Sequence, residues 1–241
     1  VPSRFSTPIH SPDDRPYSII IPSAGMGNRM KSYGPKSLIE IKEETTILEN
    51  QLKYIYRYFY KPQVIVVTGF GSEKINQRLK NKNIDLVENN DWKETNVAES
   101  ISIGLQEVKH KNLILLYGDL VFNAWTLKAP FGLYSMLLID KSGLMKKEEV
   151  GCSINNSEIA NLMYDLPHKW AQIAYFTGKE LDMLKQKLSR ECKLNYRKSF
   201  GFEIINSIIE EGGKFIAHSP PRMKISDIDS SKDLASVEKI I

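Results

Sequence analysis

Sulfur chemistry is nearly absent from this chain: 241 residues hold two cysteines, Cys152 and Cys192. They lie far apart without metal-ligand spacing and read as ordinary buried or partly buried thiols, a usage that fits a reducing cytoplasm. No apolar run approaches the ~20 residues of a membrane span, so no membrane partner is expected. There is no block of Lys and Arg. The formal net charge is +4, with both signs interspersed, which gives no sign of a nucleic-acid partner. That weak positive balance suits a small polyanionic ligand and equally an ordinary solvated surface. Sequence repeats are missing, and so is any Ser/His/Asp arrangement: His10, His110 and His218 have no partners in sequence that suggest catalysis.

The stretch 1–16 is polar, rich in proline and serine, and lacks the apolar core of a secretory signal; it reads as an extended or disordered arm. From Tyr17 the pattern changes. Ser18–Ile21, Val64–Thr68, Ile84–Glu88 and Leu113–Tyr117 are short apolar, mostly β-branched runs, read as buried strands. Helical spacing separates them over Ile47–Tyr60, Ser72–Leu79 and Val97–Val108. Buried strands without polar alternation, divided by helices, predict a parallel sheet covered on both faces. The second half is more mixed. Strands are expected over Leu133–Asp140, Gly151–Ile154, Ile159–Met163 and Ala171–Phe176, a helix opening on a Thr177–Glu180 capping box, another over Phe200–Glu211, and a last one capped by Ser230 or Ser231. The expected fold is α/β, a Rossmann-like three-layer α/β/α sandwich with a mostly parallel mixed sheet, and 17–241 reads as a single domain.

Three segments carry chemistry. The first is Pro22-Ser23-Ala24-Gly25-Met26-Gly27-Asn28-Arg29, which follows the first strand, with Pro35-Lys36 after it. Small residues let backbone N–H groups converge on phosphate oxygens. Arg29 can clamp β- and γ-phosphates with its planar fork, and Lys36 can set a compact charge beside an α-phosphate. The glycines alone read just as well as a turn followed by surface cations. Neither G-x-G-x-x-G opening a helix nor G-x-x-x-x-G-K-[ST] is present, so the dinucleotide and Walker loops are excluded. The second segment is Leu113–Asp119, where Gly118-Asp119 falls at the carboxyl edge of the sheet. A carboxylate there suits Mg²⁺, although an Asp after a strand is commonly a turn former or helix cap. The third is Ile225–Leu234, with Asp227, Asp229 and Asp233; alone it is also a solvated turn.

The string Ala24-Gly25-Met26-Gly27-Asn28-Arg29 with Pro35-Lys36-Ser37-Leu38 resembles the nucleotidyltransferase superfamily, which includes sugar-1-phosphate nucleotidyltransferases and the phosphocholine and methylerythritol-phosphate cytidylyltransferases. Pro22-Ser23 departs mildly from the family's small pair. The resemblance implies the nucleotide-diphospho-sugar transferase type of fold and a loop, Pro22 to Arg29, that wraps the triphosphate with Arg29 and Lys36 in contact. It implies Mg²⁺ held by Asp119 and, through a late I-D-[ST]-x-x-D-L pattern, by Asp229, with Asp227 a neighbour near the acceptor. Asn89–Leu105 resembles the cytidylyltransferase segment that faces the base, placing Asn96 and Ser100 at the nucleobase; Asn96 to Glu99 also reads as a capping box. Trp170 falls on the acceptor side, where it could close over an acceptor group, including a quaternary ammonium, or simply pack.

These residues give the expectation of a Mg²⁺-dependent nucleotidyltransferase acting on an NTP, with CTP mildly favoured. The acceptor is a phosphorylated small molecule such as a sugar-1-phosphate or an alcohol phosphate like phosphocholine, and pyrophosphate is released. A nucleotide-sugar-dependent glycosyltransferase and a non-catalytic NTP-binding protein are the competing readings. Oligomeric state stays open, a homo-oligomer among the options.

Overall fold

A computed structural model describes residues 15–27, 33–141, 145–189 and 195–241. Residues 1–14 of the expected arm, Asn28, Arg29 and Cys192 lie outside the described residues.

The first half lays down β1 (Ser18–Pro22), a small hairpin of β2 (Glu40–Lys42) and β3 (Thr45–Thr46), α1 (Ile47–Tyr58), β4 (Gln63–Thr68), α2 (Ser72–Leu79), β5 (Asp85–Glu88), α3 (Val97–Leu105) and β6 (Asn112–Leu116). The second half adds β7 (Leu120–Phe122), β8 (Met136–Asp140), β9 (Val150–Asn155), β10 (Glu158–Tyr164), β11 (His168–Thr177), α4 (Gly178–Lys187), α5 (Gly201–Glu210), β12 (Ile216–His218), β13 (Ile225–Asp227) and α6 (Ser231–Ala235).

One nine-stranded sheet runs through both halves, in the order β5-β4-β1-β6-β11-β8-β12-β10-β9. The first four strands are parallel, β11 runs against β6, and β8 and β12 return to the first direction. The β9–β10 hairpin closes the far edge. Alternation along β1 divides the core. Ile19 and Ile21 join Leu48, Leu52 and Ile55 of α1 and Ile75 of α2 on one face. Ile20 joins Ala98 and Ile101 of α3, Leu184 of α4 and Ile204 and Ile208 of α5 on the other. The result is the expected three-layer α/β/α sandwich with a mixed sheet.

The cap expected at Thr177 fails. The helix after Thr177 forms, but without a capping box: Glu180 accepts instead from the Ser135 hydroxyl at 3.1 Å and the Lys214 N–H at 3.0 Å. A capping box does occur at α1, where Thr46 and Glu49 bond reciprocally. At the chain's end Ser230 caps α6 by accepting from the Asp233 N–H. No helix among the described residues is long and apolar enough to cross a membrane.

Candidate functional site

The chain order reverses between β1 and β6, because β4 and β5 lie on the other side of β1. A reversal of this kind leaves a crevice at the carboxyl ends of the strands, where open α/β sheets bind ligands. The loop 23–27 after β1 and the turn 117–119 after β6 form its lips. They are in close contact: the Gly118 N–H donates to the Pro22 carbonyl at 3.1 Å, and a Cβ at residue 118 would overlap Ser23 Oγ. Only glycine fits there. The Ser23 N–H donates to the Val67 carbonyl at 2.8 Å and the Phe70 N–H to the Ala24 carbonyl at 2.9 Å, pinning the loop to the end of β4.

Pro22, Ser23, Ala24, Gly25 and Gly27 line the crevice with Gly118. Met26, half-buried in the same loop, is not part of this lining. Lys36, Ser37 and Asp119 lie at one end, with Tyr117 behind them. The opposite wall brings in the expected Asn96 and Ser100, together with Asn89, Trp92, Thr95 and Val97.

Asn89 organises that wall. Its amide donates to Thr95 Oγ1 at 3.1 Å and Ser100 Oγ at 3.2 Å, and its own oxygen accepts from the Asp91 N–H. Asn96 caps α3 by accepting from the Val97 N–H, but Glu99 turns to Arg197 at 3.5 Å instead of completing a box. The segment 197–199 is laid against the start of α3 through Asn96 N–H to Arg197 O and Ala98 N–H to Ser199 O.

At the other end, Lys36 Nζ donates to Asp119 Oδ2 at 3.2 Å and also to Asp229 Oδ1. Their meeting has a visible cause. β13 pairs with β7 so that Asp227 faces Leu120, and the Ile228 N–H donates to the Asp119 carbonyl at 3.0 Å. Beneath them a small apolar cluster joins Ile39, Ile47, Val121, Ile228 and Val237. Ile39, Val121 and Ile228 each lie within three positions of Lys36, Asp119 or Asp229, so burying the cluster gathers the three. Gly27 takes positive φ and its bare backbone lies along the Lys36 stem, where a Cβ would meet Cγ and Cδ at 2.9 Å. Burial works against the Lys36 ammonium, but the charges and hydrogen bonds of Asp119 and Asp229 outweigh it and raise its pKa above the ordinary value.

The Mg²⁺ implied by the resemblance fits this pair. A hard cation is commonly held by one or two carboxylates plus substrate phosphates. Asp119 and Asp229 already share one cation, the Lys36 ammonium, at one end of the crevice.

Beyond the pair, the structure gives Trp170 the second of its two readings, packing. This ring is buried at 2% exposure, donates to the Ile173 carbonyl at 3.3 Å and packs edge-on against Tyr117 at 5.8 Å. It supports Tyr117 from the core, so it cannot close over an acceptor. Asp227 is buried beside the carboxylate pair. Burial pushes its carboxyl up to about 6, with Asp119 and Asp229 adding to that and Lys169 opposing it. Lys169 stands between Glu149, at 2.5 Å, and Asp227, at 3.7 Å. Neither Glu149 nor Lys169 was singled out in the sequence; a charged pair at the edge of apolar strands is the only local sign of them.

The strand order thus defines an open α/β protein with a crevice at the switch point, and comparison narrows that class. Residues 17–121 match the family model of 2-C-methyl-D-erythritol 4-phosphate cytidylyltransferase. No curated protein matches the chain by sequence. In three dimensions it resembles the CTP:phosphocholine cytidylyltransferase of Streptococcus pneumoniae, with a TM-score of 0.76 at 14% identity over 92% of this chain and 98% of that one. The inositol-1-phosphate CTP transferase of T. maritima gives 0.73 at 16% identity, over 94% and 96%. A nucleoside-diphosphate-sugar pyrophosphorylase of Vibrio cholerae gives 0.67 at 16%, over 92% and 99%. The family match thus covers residues 17–121, and over nine-tenths of its length the chain shares the fold of these nucleotidyltransferases.

Proposed function

We propose that this protein is a nucleotidyltransferase that moves NMP from an NTP, CTP before the others, to a phosphorylated small molecule such as a sugar-1-phosphate or an alcohol phosphate like phosphocholine. The observation that carries the reading is Lys36 between Asp119 and Asp229, at the end of a crevice walled by the glycine loop.

An acceptor phosphate oxygen attacks the α-phosphorus in line. The new P–O bond forms as the bond to the β-phosphate oxygen breaks, and pyrophosphate departs with the electron pair. The acceptor is already anionic, so no strong base is needed, and catalysis reduces to positioning and charge neutralisation. Lys36 carries the charge beside the α-phosphate, and the loop 23–27 cradles the phosphates with Arg29 as their clamp. Asp119 and Asp229 would hold Mg²⁺, which neutralises phosphate charge when bound. Asn96 and Ser100 supply polar groups to the base. CTP is favoured because the matching family model and two of the structural neighbours are cytidylyltransferases.

The test supplies Mg²⁺, each of four NTPs and a panel of phosphorylated acceptors, and measures pyrophosphate. Acceptor-dependent release that Lys36→Ala and Asp119→Ala abolish is the expected result. Unchanged turnover in those variants would falsify the assignment. Release of a nucleoside diphosphate from a nucleotide sugar would instead indicate glycosyl transfer, and NTP binding without turnover a non-catalytic protein.

A further inference from the structure

α1 is amphipathic, and Leu48, Leu52 and Ile55 on its inner face are fully buried. Gln51 lies among them at 0% exposure. An amide in such a place requires a reason, because a leucine would bury without loss. Gln51 Nε2 donates to the Tyr117 carbonyl at 2.9 Å and to the Leu120 carbonyl at 2.8 Å. Those two carbonyls bracket Gly118 and Asp119.

The turn has little else to hold it from that side. Its own backbone bond, Leu120 N–H to the Tyr117 carbonyl, is long at 3.4 Å. From the opposite side the Ile228 N–H reaches the Asp119 carbonyl, and the neighbouring Asn50 amide donates to the Phe122 carbonyl at 3.3 Å. The other end of the Gln51 amide, Oε1, is buried with no hydrogen-bond partner among the described residues. An unmade buried bond costs ~1–3 kcal/mol, a cost that the two bonds made by its N–H groups must offset.

We propose that Gln51 is a positioning residue: its amide clamps the 117–120 turn and so aims the Asp119 carboxylate at Lys36 and Asp229. The inference rests on the nucleotidyl-transfer reading, in which Asp119 serves the metal.

Mn²⁺ binding, followed by electron paramagnetic resonance with CTP present and acceptor absent, separates the two. Wild-type protein that binds no Mn²⁺ under these conditions overturns the reading itself. Given wild-type binding, Gln51→Met keeps the volume and removes the donors. It should weaken Mn²⁺ affinity and lower kcat by about tenfold or more, the usual effect of losing an outer-shell partner, with the KM for CTP little changed. Gln51→Glu supplies the control should Gln51→Met fail to fold. Its carboxyl donates when protonated and cannot when ionised, so its Mn²⁺ affinity relative to wild type should improve as pH falls. A Gln51→Met protein with wild-type Mn²⁺ affinity, or a Gln51→Glu ratio that ignores pH, overturns the proposal.

Discussion

Lys36 Nζ joins two carboxylates from residues 83 and 193 positions further along the chain, Asp119 at 3.2 Å and Asp229 in direct hydrogen-bond contact. The ammonium holds two negative groups together, as the divalent ion proposed for this pair would. On the proposed reading the two cations compete for the same carboxylate oxygens.

Lys36→Met should consequently raise the affinity of nucleotide-free protein for Mn²⁺ by about tenfold, the equivalent of one charge-assisted hydrogen bond no longer competing. The same variant should lose ~10²–10³-fold in turnover, because the α-phosphate loses its charge partner. Titration with Mn²⁺ reads the first effect and pyrophosphate release the second. Equal Mn²⁺ affinity in wild type and variant would show that the ammonium does not restrain the carboxylates.

Asp119→Asn and Asp229→Asn remove partners of the same ion, so their effects should not multiply. Each is expected to cut turnover by ~10²-fold or more, and the double variant should be little worse than the weaker single one. Steady-state rates of the three proteins decide this. Losses that multiply would mean that the two carboxylates act separately.

Lys169 carries a different kind of prediction. Its side chain is 11% exposed, Glu149's is 6% and Asp227's 11%, so removing the ammonium strands negative charge out of water. Lys169→Met should cost about 3–5 kcal/mol in urea unfolding, the usual result of breaking a buried pair from one side. Adding Glu149→Gln should restore part of the loss. A double variant no more stable than Lys169→Met would show that Glu149 is not the stranded charge.

The capping box of α1 gives a pH dependence. Burial alone would raise the Glu49 carboxyl, but hydrogen bonds from Arg78 and Thr46 and the Arg78 charge outweigh it, holding it at about 2 against an ordinary 4.5. The sign follows. A depressed carboxyl adds stability that is complete above its unfolded pKa and lost as pH falls through the folded one. Glu49→Gln should thus lower stability at neutral pH by ~1 kcal/mol, a cap plus a surface ion pair. The difference from wild type should shrink between about pH 4.5 and 2, as thermal melts across that range will record. A gap that stays constant down to pH 2 would place its origin elsewhere than in the carboxylate.

The short, unbroken apolar runs that became β1, β4 and β6 were plain in the sequence, because a fully buried strand has no polar alternation to confuse it. With them came the loop after β1 and the aspartate after β6. The pieces that complete the site were not plain. β7 and β13 have three residues each, too few for any period, and their pairing joins segments about a hundred positions apart. Gln51 sits inside a helical stripe that reads as purely apolar. For Trp170 the sequence left acceptor contact and packing both open, and the structure shows packing: Lys169 meets the charges and Trp170 the core. The Thr177–Glu180 pattern failed because Ser135 and Lys214, remote in sequence, bond the glutamate.

The apolar cluster of Ile39, Ile47, Val121, Ile228 and Val237 also sets a timetable for synthesis. At the ~5–20 residues per second of a ribosome, the segment with Asp229 emerges roughly 5–20 seconds after Asp119. Through that interval the parallel strands and the glycine loop can already be folded, but half of the carboxylate pair does not yet exist. A nascent chain of that length holds Lys36 and Asp119 without the second carboxylate, so the three charges meet only once Ile228 and Val237 join the apolar cluster.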